Sequence, residues 1–245
     1  MASRDSGADG ASGVEGEANS PAHSAPVTHA AHAGPLVRVT ARGEATRRRI
    51  LDAAEDVFGE MGYYEASVSE ITRRAGVAQG TFYIYFHSKR ETFVELIEDI
   101  GERLRSATSA AIEGAPGRIE AERRGFAAFF RFVYDHRRIY RIVEDAGRVA
   151  PEAAREYYRR ISVGYEHALR AAMRAGQIRE TSEEAIGYAL MGVAHFLALR
   201  WIIWPAEGEN GRVQPGSSSE SSDAVIPEAI FDAVVEFIAR GLAPD

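Results

Sequence analysis

The sequence predicts an all-α fold: an N-terminal three-helix unit containing a helix-turn-helix, followed by a larger helical body. Three observations carry this expectation. Apolar residues recur at spacings of three and four over most of residues 44–241. No segment alternates apolar and polar residues as a half-buried strand would. Gly62, Gly76, Pro116-Gly117, Pro151, Gly176 and Pro205 interrupt the periodic stretches where helices should end or begin.

Each element has its own signal. Residues 1–43 are rich in Ala, Gly, Ser, Pro and His and lack periodicity. They bury too little apolar surface to offset the entropy of ordering, so a disordered tail is expected. From Glu44 a helix turns Ile50, Leu51, Ala54, Val57, Phe58 and Met61 to one side and stops at Gly62. Ser67, with Glu70 three residues on, forms a capping-box signature for a short helix from Val68 to Ala75. Gly76-Val77 makes a turn, and a second short helix runs from Ala78 to Phe86. Ser88, with Glu91 three residues on, caps a long helix beginning near Lys89. The remaining helices are expected at 90–113, 119–134, 137–146, 151–176, 182–204 and 226–241, with a flexible loop over 206–224. Two domains follow, 44–90 and 91–245.

Composition excludes several classes. There is no cysteine among the 245 residues, hence no disulfide framework and no thiolate metal site. No apolar run is expected to approach the roughly 20 residues that span a bilayer, and the N-terminus lacks a signal-peptide core. A cytoplasmic protein with no membrane partner is expected. His136, His167 and His195 do not fall at i, i+3 or i, i+4, so no metal is expected. No phosphate loop or nucleophile motif occurs, and neither an enzymatic activity nor a cofactor is expected. The net charge of −7 argues against a nucleic-acid partner. The arginines are unevenly placed, however. Arg38, Arg42, Arg47, Arg48 and Arg49 cluster at the first helix, followed by Arg73, Arg74, Lys89 and Arg90.

The segment Ser67–Phe86 gives those cations a purpose. Ile71, Val77 and Phe82 point inward and fix two short helices against the first. Gln79, Gly80, Thr81, Tyr83 and Tyr85 are left at the start and outer face of the second short helix. A helix presented in this way fits the major groove of double-stranded DNA with its N-terminal residues at base edges.

Over about 50 residues, Thr46 to Leu96, the chain resembles the TetR family of bacterial regulators. The resemblance rests on Ile50-Leu51-Asp52-Ala53-Ala54, Phe58-Gly59-Glu60-Met61-Gly62-Tyr63, Ile71 with Ala75-Gly76-Val77, and Gly80 through Lys89. It implies an all-helical homodimer whose N-terminal domains bind operator DNA and whose larger domains bind a small effector. Carried over by position, it gives Gln79, Gly80 and Thr81 contacts to bases and Tyr83, Tyr85 and Lys89 contacts to phosphates. Arg47 and Ser67 would touch the flanking backbone. Ala78 departs from the family, which often has a capping serine there; losing a cap costs about 1 kcal/mol.

The body is rich in aromatic residues, as an apolar effector pocket requires. Phe130, Tyr134, Tyr165 and His195 are its candidate ligand contacts. Arg137, Arg138 and Arg141, around Tyr140, are candidates for receiving an anionic head group. The nearly continuous apolar stretch Ala189–Trp201 must be buried on more than one side. With the stripe Ile226, Ile230, Val234 and Ile238 it is the expected dimer seam. Tyr140–Pro151 and Met191–Trp204 resemble the acyl-CoA-responsive members, making an apolar or amphipathic effector, acyl-CoA included, the expected ligand. The expected function is a repressor released from DNA by that effector. The alternative is a helical ligand-binding dimer that does not repress.

Overall fold

The computed structural model describes residues 41–204 and 225–244. The described residues are helical throughout, without strands. The elements are α1 (Ala41–Glu65), α2 (Val68–Ala75), α3 (Gln79–Tyr85), α4 (Lys89–Ile112), α5 (Arg118–Asp135), α6 (Arg137–Val149), α7 (Pro151–Arg174), α8 (Glu183–Ala198) and α9 (Glu228–Leu242). Leu199–Ile203 continues α8 as a π-helical turn. The expected tail and the 206–224 loop lie outside the described residues, except that 41–43 belong to the first turn of α1.

Gly62 breaks α1 as its sequence implies. Its backbone is non-helical, with φ 78° and ψ 165°. Ala66 N–H still bonds Gly62 O at 3.2 Å, so the chain bends there without unravelling. Gly59 serves packing instead. A Cβ at Gly59 would lie 2.5 Å from Arg138 Cβ, so only glycine lets α6 approach α1 this closely.

Two apolar cores result. The first joins Ile50, Val57 and Phe58 of α1, Ile71 of α2, Phe82 of α3, and Phe93 and Ile100 of α4. It does not end at residue 90, for Ile139, Ile142 and Ala146 of α6 and Ala153 of α7 belong to it. Each fully buried Phe or Ile contributes about 1.5–3 kcal/mol. The second core joins Phe126 and Phe130 of α5, Leu169 of α7, Leu190 and Ala194 of α8, Ile202, and Ile238 and Leu242 of α9.

α8 corrects the reading of the apolar runs. With its π turn, Glu183–Ile203 is 21 residues long with mean hydropathy 1.6, long and apolar enough by length and composition to cross a membrane. Part of it is buried against α5 and α7, and Tyr188, Phe196 and Trp204 remain exposed. The expected α9 stripe also divides. Ile226 and Ile238 are 4% exposed and belong to the subunit's own core, whereas Phe237 is 70% exposed.

Candidate functional site

Local hydrogen bonds define the α2 cap and the turn that joins α2 to α3. Ser67 Oγ accepts from Glu70 N–H at 3.1 Å, capping α2. Gly76 ends α2 in the left-handed region at φ 63°, ψ 38°, and Val77 N–H closes the turn on Thr72 O at 3.1 Å. Only half of the expected capping box forms. The Glu70 carboxylate turns to Arg73 Nη2 at 2.6 Å and Arg74 Nε at 2.8 Å. Those hydrogen bonds hold its pKa down at about 2. Ser88 caps α4 in the same way, accepting from Glu91 N–H at 3.0 Å.

The start of α3 has no side-chain cap. Ala78 offers only its carbonyl, which accepts from Thr81 N–H at 2.9 Å and Phe82 N–H at 3.3 Å. Phe82 and Phe86 are fully buried and anchor α3. Gln79, Gly80, Tyr83 and Ile84 are exposed, and Thr81 and Tyr85 are half-buried. The structure thus brings Gln79, Gly80, Thr81 and Tyr83 to one open face, with the Ser67 cap of α2 nearby in the same motif.

Two expected phosphate ligands are placed differently. Lys89 Nζ donates to Tyr63 O at 2.8 Å, Ala66 O at 2.7 Å and Tyr64 O at 3.4 Å, and sits 4.4 Å from the Tyr63 ring centroid. Its three donors close the end of α1, and burial lowers its pKa. Arg47 is paired with Glu95 of α4 and lies 3.6 Å from Glu44. Three further cations of the head are similarly engaged: Arg48 with Asp99 at 2.6 Å, Arg74 with Glu60 at 2.7 Å, and Arg90 with Glu152.

α6 links this head to the body. Arg138 Nη1 lies 3.0 Å from both Asp56 Oδ1 and Glu60 Oε1. Arg141 Nη1 donates to Glu60 O at 3.0 Å, and buried Asp145 accepts from Tyr63 N–H at 3.1 Å. Arg138 and Arg141 therefore grip α1 rather than face a ligand, a correction to their expected use. Arg137 stacks 4.2 Å from the Tyr134 ring centroid.

On the other side of α6, Ile139, Tyr140 and Val143 line a cavity of about 250 Å³ between α4, α5, α6, α7 and α8. Its walls are mainly aromatic: Phe126, Phe129, Phe132, Tyr157, Tyr158 and Tyr165. Of the four expected contacts, Tyr165 and His195 line it. Phe130 is packed in the second core against Phe126 and Phe231, and Tyr134 lies outside the cavity, 40% exposed. Side-chain rotation about α5 decides this. Glu122, Phe126, Phe129 and Val133 follow one another at helical spacing on the cavity side, and Phe130 is turned about 100° from Phe129. That spacing was the available signal.

Polar side chains interrupt this lining. Tyr140 Oη is hydrogen-bonded to His195 Nδ1, and the two rings stack at 5.4 Å. Burial lowers the His195 pKa and raises that of Tyr140. Glu122, 2% exposed, accepts from Arg118 Nε at 2.9 Å; burial raises its pKa and Arg118 opposes the rise.

An exposed short helix, carried by a capped turn onto a three-helix core, gives the head the form of a helix-turn-helix. Residues 50–96 match the family described as "Bacterial regulatory proteins, tetR family". It is 42% identical over 71 residues to the uncharacterized HTH-type transcriptional regulator YdgC of Bacillus subtilis, covering 29% of this chain and 36% of that protein. To the fatty acid metabolism regulator protein of the same organism it is 43% identical over 51 residues, covering 21% and 26%. The chain thus matches well under two thirds of the length of these relatives. The fold extends further. The structure of the transcriptional regulator FadR from Bacillus subtilis in complex with stearoyl-CoA aligns with TM-score 0.64 over 80% of this chain and 98% of that one, at 20% identity. The similar proteins are regulators rather than enzymes.

Proposed function

We propose that this protein is a cytoplasmic, homodimeric transcriptional repressor that leaves its operator when an apolar or amphipathic effector fills the body cavity. The observation that carries this reading is the position of α6. It grips the end of α1 through Arg138, Arg141 and Asp145, and lines the cavity through Ile139, Tyr140 and Val143. Residues 44–90 form the reading head. Gln79, Gly80 and Thr81 face base edges, and Tyr83, Tyr85 and the Ser67 hydroxyl face phosphates. Arg47 reaches the flanking backbone by exchanging Glu95 for a phosphate. Lys89 acts indirectly, by fixing the end of α1 that leads into the motif.

Tyr165 and His195, joined by Phe126, Phe129 and Tyr140, contact the effector. The stearoyl-CoA bound by a regulator of the same fold makes acyl-CoA esters the first effectors to test. A ligand must favour the released dimer by its differential affinity alone, and operator DNA must weaken the ligand by the same factor. A gel-shift assay on the DNA upstream of the protein's own reading frame tests the first half: a specific complex is expected, and binding no tighter than to random DNA overturns it. Titration of acyl-CoA esters and other apolar metabolites against that complex tests the second.

A further inference from the structure

Four ionised side chains line the cavity, and three are cations: Arg105, Arg118 and Arg160, against Glu122. Two of the cations are neutralised. Arg118 is bonded to Glu122, and Arg160 Nε lies 2.7 Å from Glu156. Arg105 is different. Its nearest carboxylate, Glu102, is 4.0 Å away and 79% exposed, too distant and too solvated to neutralise it. Among the described residues its guanidinium donates no hydrogen bond, although the side chain is only 29% exposed. It is held in place all the same. A Cβ on Gly101 would come within 3.2 Å of Arg105 Nη1 and 3.0 Å of the Tyr157 ring, so glycine leaves the space they occupy. Arg105 and Tyr157 also line a small second hollow that adjoins the cavity between α4 and α7.

From this end an apolar channel runs along α5. The cavity-lining residues from Glu122 to Val133 cover about 16 Å of helix axis, the reach of an extended chain of about ten carbons. An unpaired guanidinium at one end of an apolar slot is a receptor for a carboxylate, which it can bind with two parallel N–H donors.

We propose that Arg105 is the anion anchor of the effector site, and that the effector is a slender anionic amphiphile whose anionic group binds Arg105 while its chain lies along Phe129 and Phe126. The Tyr157 hydroxyl, beside the guanidinium and without a hydrogen-bond partner among the described residues, donates to the same head. This assignment rests on the proposed effector role of the cavity. A free carboxylate and an acyl-CoA thioester both offer an apolar chain with anionic groups. They differ in where the anion falls, at the first carbon or beyond the thioester.

The test is calorimetric titration of the full-length protein with decanoate, decan-1-ol, decyltrimethylammonium and decanoyl-CoA. Decanoate is expected to bind at least about tenfold more tightly than the alcohol, and the ammonium to bind least, since a hydrogen-bonded charge pair is worth about a factor of ten or more. Arg105→Gln should remove that advantage and leave decanol within about twofold. Arg105→Lys should restore part of it. Tighter binding of decanoyl-CoA than decanoate, lost in Arg105→Gln, supports the anchor and assigns the thioester as the source. Equal binding of decanoate and decanol, or equal weakening of both by Arg105→Gln, overturns the anchor while leaving the cavity a ligand site. Binding of none of the four overturns both.

Discussion

Lys89 shows how an expected DNA contact can also have a structural task. Its ammonium ties together the carbonyls of Tyr63, Tyr64 and Ala66, where α1 ends and the chain turns into α2. Lys89→Met leaves those carbonyls unbonded, and about 1–3 kcal/mol of stability should be lost. Thermal melting reads that loss. The dependence of operator affinity on salt should keep its slope, because no phosphate contact is removed. A slope lower by one unit would restore a direct phosphate role. His195 yields a second prediction at this scale. Burial sets its pKa below 6.5, so the unfolded chain takes up a proton before the folded one does. Stability is therefore fully present above about pH 6.5 and falls as pH drops through that value toward the folded pKa. Denaturant titrations at pH 7.5 and pH 5.5 should show this fall, and His195→Phe should flatten it. Residues of this kind differ in how legible they are. Ser67 and Gly76 were readable because their partners lie within four residues. Lys89 and Arg105 were not, because their surroundings come from residues distant in sequence or from a cavity that exists only after folding.

Among the elements, α3 is the least secured by its own sequence. It has seven residues, no side-chain N-cap and two buried phenylalanines as its attachment. Ala78→Ser supplies the missing acceptor for the free N–H groups of the first turn. The variant should be more stable by about 0.5–2 kcal/mol, measured by urea unfolding. It should also bind the operator more tightly if α3 is ordered by DNA in the present protein. Increased stability with unchanged affinity would show that α3 is fully formed before binding. The order and extent of the helices were legible, since caps, glycines and prolines are local signals. The π turn at Leu199–Ile203 was not, because the sequence there continues an apolar helical pattern without interruption. Nor was the role of α6. Its arginines read as candidates for an anionic head group, yet the counterions of Arg138, Asp56 and Glu60, lie about 80 residues earlier on α1.

On the scale of the whole molecule, the unresolved quantity is the spacing of two reading heads. One α3 reads only one half-site. Two must sit about 34–36 Å apart, or a multiple of that, to use successive major grooves. In the proposed dimer, the candidate surface for setting this spacing is the outer side of α8 and α9. Tyr188, Phe196 and Trp204 stand at eight-residue intervals along α8 and its π turn and are 48%, 66% and 51% exposed. Phe237 on α9 is 70% exposed, while Ile238 on the same helix and Ile226 just before it are taken by the subunit's own core. Large aromatic side chains left outward on two helices that both pack on α5 are what an isologous interface of about 1,200–2,000 Å² requires at its centre. A charge there would be desolvated without a partner, and symmetry would place it twice. Phe196→Glu and Phe237→Glu should therefore shift the protein to monomer at micromolar concentration, as read by light scattering, with helix content by circular dichroism unchanged. Because these residues are outside both cores, loss of fold is not the expected cost. Operator affinity should fall together with the dimer, since the second head is no longer held in register. Val234→Glu, on the half-buried side of α9, should be less selective and lower the melting temperature as well. If both aromatic variants stay dimeric with undiminished affinity, the seam lies elsewhere, and the spacing of the heads must be set by another face.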